Sequence, residues 1–107
     1  MPRNIKKILR ELKKGLIEIY GDQLKAVYLF GSFARGEGRL PDSDIDVMAV
    51  LKGEFNRLEV SNRSSEFVAA LCLEHEVVII CHFIMDRRYA ESKMPFMLNV
   101  RRDAVAI

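Results

Sequence analysis

Two apolar runs, Ala26-Val27-Tyr28-Leu29-Phe30 and Val47-Met48-Ala49-Val50-Leu51, bracket a stretch that opens with Gly31-Ser32-Phe33-Ala34-Arg35-Gly36 and closes with Ser43-Asp44-Ile45-Asp46. No other feature of the chain constrains its fold as tightly. Both runs read as buried strands. Alternation along the second places Asp44 and Asp46 on one face and sends Ile45 and Val47 into the core. Two carboxylates side by side repel, and one would keep its proton unless a cation joined them. An oxygen-only pair of this kind suits Mg²⁺ or Mn²⁺, with water and substrate phosphates completing the shell.

The other half of the stretch fits the same ligand. Gly31 follows a strand end, and without a Cβ it allows a sharp bend and the close approach of a bulky anion. Ser32 adds a hydroxyl. A helical turn beginning over residues 33–36 would point free N–H groups at a phosphate. Phosphates on one side and carboxylates on the other describe a metal-assisted phosphoryl or nucleotidyl transfer site. Arg35 either neutralises phosphate charge or pairs with an acidic neighbour in the turn. Phe33 fits core packing better than base stacking.

With 107 residues there is room for one domain, residues 1–107, around one core. The net charge of +2 is too small to announce a nucleic-acid surface. No apolar run reaches the ~20 residues of a membrane helix, and the polar, basic start does not read as a signal peptide. Cys72 and Cys81 sit in apolar surroundings without metal-type spacing and are expected to be buried reduced thiols. The expected location is the cytoplasm, with no membrane partner.

Residues 4–20 carry Ile5, Ile8, Leu9, Leu12, Leu16 and Ile19 at helical spacing, with Lys6, Lys7, Arg10, Lys13 and Lys14 around the other side. The basic side reads as solvated surface rather than a nucleic-acid patch. Strands are expected over residues 25–30 and 45–51. A helix follows from about Arg57, its start delayed by Val60 and the polar cluster Ser61-Asn62-Arg63-Ser64-Ser65. The β-branched run of residues 76–84 is the third strand. Beyond Asp86 the chain turns helical again, with Pro95 in a first turn. The Met/Phe stripe there is core, and any exposed remainder is an interface.

The string Gly31-Ser32-x-Ala34-Arg35-Gly36…Pro41-Asp42-Ser43-Asp44-Ile45-Asp46-Val47 resembles the signature of the polymerase-β-type nucleotidyltransferase superfamily, and within it the minimal nucleotidyltransferases. Asn99-Val100-Arg101-Arg102-Asp103-Ala104-Val105 is similar to their closing segment. Eleven residues separate Ser32 from Asp44 where ten is usual; residues 37–41 form a turn-like segment that absorbs the extra one.

The resemblance implies an α/β sandwich with a small mixed sheet flanked by helices. It implies transfer of a nucleoside monophosphate, AMP from ATP, to a hydroxyl acceptor with Mg²⁺ or Mn²⁺ as cofactor. Gly31, Ser32, Arg35 and Ser43 then belong to the nucleotide side. A third carboxylate is expected from the third strand, where Glu76 stands in place of the usual Asp, with Glu74 a less favoured substitute. His82 shares the parity of Glu76 but lies six residues on, roughly 20 Å along an extended chain, and is not expected to join it. His75 is expected at the surface of the strand mouth. The resemblance also implies a partner, a HEPN-domain toxin to which such chains act as antitoxin, while a homo-oligomer stays open. The alternative is a non-catalytic module that inhibits its partner by contact alone.

Overall fold

The computed structural model describes residues 3–40 and 42–107. Its elements follow in chain order: α1 (Arg3–Tyr20), a 3-10 turn (Gly21–Gln23), β1 (Leu24–Phe30), β2 (Ile45–Leu51), α2 (Arg57–His75), β3 (Ile79–Met85), α3 (Asp86–Glu91), α4 (Pro95–Asp103) and β4 (Val105–Ala106). The four strands form one sheet in the order β3-β2-β1-β4. β2 runs antiparallel to β1 and parallel to β3, so the sheet is mixed as expected.

Each face of the sheet has its own core. On one, Val27 and Leu29 of β1, Ile45, Val47, Ala49 and Leu51 of β2, and Ile79 and Phe83 of β3 pack against α1 and α2. Ile5, Ile8, Leu12 and Leu16 bring α1 to that face, while Lys6, Lys7, Arg10 and Lys14 stay exposed. On the other, Phe30, Met48, Val50 and Ile84 pack beneath Met97 and Val100 of α4, with Tyr89 of α3 alongside. Covered from both sides, β2 reads as an almost unbroken apolar run, and Asp46 is its one residue that is not fully buried.

Several boundaries depart from the sequence reading. No helix forms over residues 33–36; the chain makes hydrogen-bonded turns closed by Glu37 N–H and Gly38 N–H donating to the Ser32 carbonyl at 2.8 and 3.1 Å. Gly36, at φ +77°, ends any helical path. Pro41, part of the expected turn, lies outside the described residues. α2 does not start late, because the Asn56 side chain accepts a hydrogen bond from Glu59 N–H at 3.1 Å and caps it at Arg57. The stripe after Asp86 divides: Met97 and Val100 are buried, whereas Met94 and Phe96 remain 64% and 52% exposed. β4 had no sequence signal of its own and exists because Leu29 and Tyr28 offer it an edge, pairing with Val105 and Ala106.

One buried polar contact ties the two large helices. The Tyr20 hydroxyl donates its one proton to the Val60 carbonyl and shares a second hydrogen bond with Ser64 Oγ at 2.9 Å, and Ser64 is 1% exposed. Tyr20→Phe leaves that serine with one partner fewer and is expected to cost about 1–2 kcal/mol. Thermal unfolding should show it as a Tm lower by roughly 4–8 °C per kcal/mol.

Candidate functional site

The end of β1 and the start of β2 bring Gly31 and Asp46 together. Phe30 is the ladder partner of Asp46, and Gly31 follows at φ +75°. A Cβ built on Gly31 would stand 2.4 Å from the Asp46 Oδ2. Gly31 therefore serves twice, taking a backbone conformation that L side chains avoid and leaving room for the Asp46 carboxylate. Asp44 is exposed, just before β2. Its charge reaches Asp46, whose pKa is raised above the usual carboxylate range first by burial and then by Asp44, while His82 and Arg35 pull it down. Such a pair is short of positive charge. Two oxygen donors, one half-buried and held above its ordinary pKa, fit a hard divalent cation.

On the glycine side, the N–H groups of Ser32, Phe33 and Ala34 have no acceptor among the described residues, whereas those from Arg35 to Gly38 are used by the turn. The three N–H groups that follow Gly31 thus have no acceptor among the described residues, and no helix supplies them. Ser43 staples the loop that carries Asp44: its Oγ accepts from Arg39 N–H at 3.0 Å and its own N–H donates to the Arg39 carbonyl at 2.8 Å. Arg35 is held by acids, with its Nε 3.1 Å from Glu37 and its Nη1 3.2 Å from Asp103 at the end of α4. Phe33 is buried in the α1/α2 core.

Glu76 does not reach this group. It is the C-cap of α2 in the left-handed conformation, φ 54°, and exposed. Among the described residues only Glu11, Glu74 and His75 bring three metal-ligand atoms within 4.8 Å of one another; Asp44, Asp46 and Glu76 do not. Strand β3 begins at Ile79 rather than at residue 76, and the parallel register sets Ile80, not an acid, across from Asp46. Glu74 and His75 are drawn to α1 instead, the His75 Nε2 standing 2.6 Å from Glu11 Oε2. His75 is thus a tie between helices, not a surface residue at the strand mouth.

His82 is the residue that spacing along the chain set aside. Measured across the sheet it pairs with Met48, one position along from Asp46 on the same face. Its ring lies 5.4 Å from Phe30 and 6.1 Å from Phe96. Burial lowers its pKa first, and the Asp46 charge opposes that shift. Only the inter-strand register could have revealed it. Cys81 faces the other way, and burial pushes its thiol up to about 12.

Comparisons with known proteins bear on the family and the fold. A family profile described as a nucleotidyltransferase domain matches residues 4–101. A candidate protein adenylyltransferase of Methanocaldococcus jannaschii is 33% identical over 72 residues, 67% of this chain and 71% of that one. A second from the same organism is 52% identical over 44 residues, 41% of this chain and 48% of that one. Among solved structures, a candidate nucleotidyltransferase of Sulfolobus solfataricus superposes with a TM-score of 0.58 at 28% identity, covering 95% of this chain and 83% of that one. A toxin–antitoxin complex with AMP-PNP gives a TM-score of 0.62 at 16% identity, covering 91% and 69%. The tri-AMPylated HEPN toxin of Shewanella oneidensis with its MNT antitoxin gives 0.54 at 16%, covering 92% and 68%. The last two share the fold.

Two measurements test the site. Gly31→Ala should abolish tight divalent-metal and nucleotide binding in titration calorimetry, because its Cβ displaces the Asp46 carboxylate. Gly36→Ala, at a similar φ but with nothing within 4 Å, should show only the conformational cost of about 1–2 kcal/mol and bind normally. The raised Asp46 pKa also has a stability signature. Its contribution is fully present below the ordinary carboxylate pKa and is lost as pH rises through the higher folded value. Metal-free Asp46→Asn is therefore expected to melt higher than the parent at neutral pH, with the difference closing in acid.

Proposed function

The chain belongs to the nucleotidyltransferase-domain family, and from that premise we propose that it transfers AMP from ATP to a hydroxyl group on a partner protein. The observation that carries this reading is the Asp46 carboxylate seated in the space of the missing Gly31 side chain, beside free N–H donors and Asp44. Asp44 and Asp46 would hold Mg²⁺ or Mn²⁺. When bound, the cation supplies charge neutralisation at the phosphates and makes the acceptor hydroxyl more acidic.

The residues of the chain do the positioning. The N–H groups of Ser32, Phe33 and Ala34, with the Ser32 hydroxyl, orient the distal phosphates. Arg35, already shared between Glu37 and Asp103, adds a positive field over Asp46 and keeps the turn against α4. Ser43 sets the height of Asp44 through the loop it closes. The acceptor oxygen forms a bond to the α-phosphorus as the bond to the bridging oxygen breaks. Pyrophosphate leaves, and the hydroxyl proton passes to solvent. Orientation and electrostatics supply most of the acceleration.

The relatives suggest the acceptor. The toxin of the Shewanella oneidensis complex is AMPylated and bound to an antitoxin of this fold. By that likeness the partner is a HEPN-domain toxin, the chain is its antitoxin, and both work in the cytoplasm where ATP is supplied. One observation favours a second reading: Ile80 stands where a third carboxylate would face Asp46. With two carboxylates, the module could inhibit its partner by contact alone.

ATP labelled at the α-phosphate, Mg²⁺ and the co-purified partner separate the two. Label on the partner, reduced on the order of 100-fold or more by Asp44→Asn, supports transfer. Inhibition of the partner that survives Asp44→Asn without any labelling supports the contact module and overturns transfer.

A further inference from the structure

Strand β3 ends the sheet, and its outer side is open. Ile45 N–H donates to the Val78 carbonyl at 2.8 Å, so residue 78 faces β2. Backbone alternation then turns Ile80, His82 and Ile84 towards β2 and sends the N–H and C=O groups of Ile79, Cys81, Phe83 and Met85 outward. The Ile79 N–H confirms the direction by donating to Cys72 Sγ at 3.3 Å, away from β2. Beyond it, Cys81 and Phe83 have no strand partner on that side among the described residues.

Recesses flank this edge along its length. On the α2 side a hollow of about 300 Å³ is lined by small residues, among them Ser61, Ser64, Ser65 and Val68. On the α3/α4 side a cleft of about 350 Å³ is walled by Met94, Phe96 and Met97. It continues at the Met85 end into a hollow of about 360 Å³. Arg57 and Arg88 line both of the latter. Neither guanidinium has an ion pair or side-chain hydrogen bond among the described residues, and Glu54 is the one acidic side chain lining the same end.

We propose that this edge docks an extended, acidic segment of a partner protein, added to the sheet as a fifth strand outside β3. Main-chain groups of Cys81 and Phe83 provide the ladder. Alternate side chains fall into the small serine-lined hollow and the Met/Phe cleft, and carboxylates meet Arg57 and Arg88 at the Met85 end. A second copy of this chain would pair β3 antiparallel, setting the Met85 end of one copy beside the Ile79 end of the other, and is an outcome of the test. The ladder groups and both arginines are not among the residues assigned to the cation or the phosphates, while His82, which lines the Met/Phe cleft, is shared with the Asp46 face.

Amide hydrogen exchange and NMR titration of the full chain test this with two synthetic peptides, four Val-Glu repeats and four Val-Lys repeats. The Cys81 and Phe83 amides should exchange fast in the free protein and be protected at least about tenfold by the glutamate peptide alone. Arg57→Glu with Arg88→Glu, both at exposed positions, should keep the amide spectrum of the fold, lose the glutamate peptide and gain the lysine peptide. Equal response to both peptides overturns the proposal. So does protection confined to other residues, or a free chain that is already a dimer with those two amides protected.

Discussion

Everything at the site depends on one close approach, that of the Asp46 carboxylate to the backbone of Gly31. The strand β1 must end there and bend, and the bend needs a positive φ. The same residue must have no side chain, since Oδ2 occupies the place of a Cβ. One position thus meets a conformational and a steric demand together. The carboxylate is kept half-buried, next to a second one, in a protein that otherwise covers β2 on both faces. That is an unfavourable place for a bare charge, and its raised pKa is the measure of it. A group held so detracts from stability when it is charged.

The two helical layers divide labour around the sheet. α1 and α2 cover one face completely and supply most of the core. α3 and α4 pack on the other, the face to which the part-buried Asp46 belongs. Phe30 and Phe96 bracket the His82 ring on that face. The polar ties Arg35–Asp103 and Ser43–Arg39 then fix the two loops that border the site. They are exposed, so each is weak alone; their effect is to limit how the turn and the Asp44 loop move.

The third carboxylate shows how a single backbone state redirects a side chain. Glu76 terminates α2 in the left-handed conformation, with its N–H bonded to the Cys72 carbonyl. The chain reverses there before β3 starts, so a residue that looks like the first of a strand is the last of a helix. Ile80 inherits the place beside Asp46. Below 79 the apolar run continues, but Val77 and Val78 precede the strand, and only the Val78 carbonyl bonds to β2.

Periodicity along the chain determined the long first helix, the bounds of β2 and the glycine bend, because each depends on neighbours within a few positions. The family followed from the same stretch. Tertiary structure alone decided that His82 stands by Asp46 while Glu76 does not, that Arg35 is claimed by Asp103, and that Val105 and Ala106 form a strand. Each of these joins segments far apart in the chain, across a helix of 19 residues in the first case. Register between such segments is set by how side chains of both cores fit together, and no local spacing carries that information.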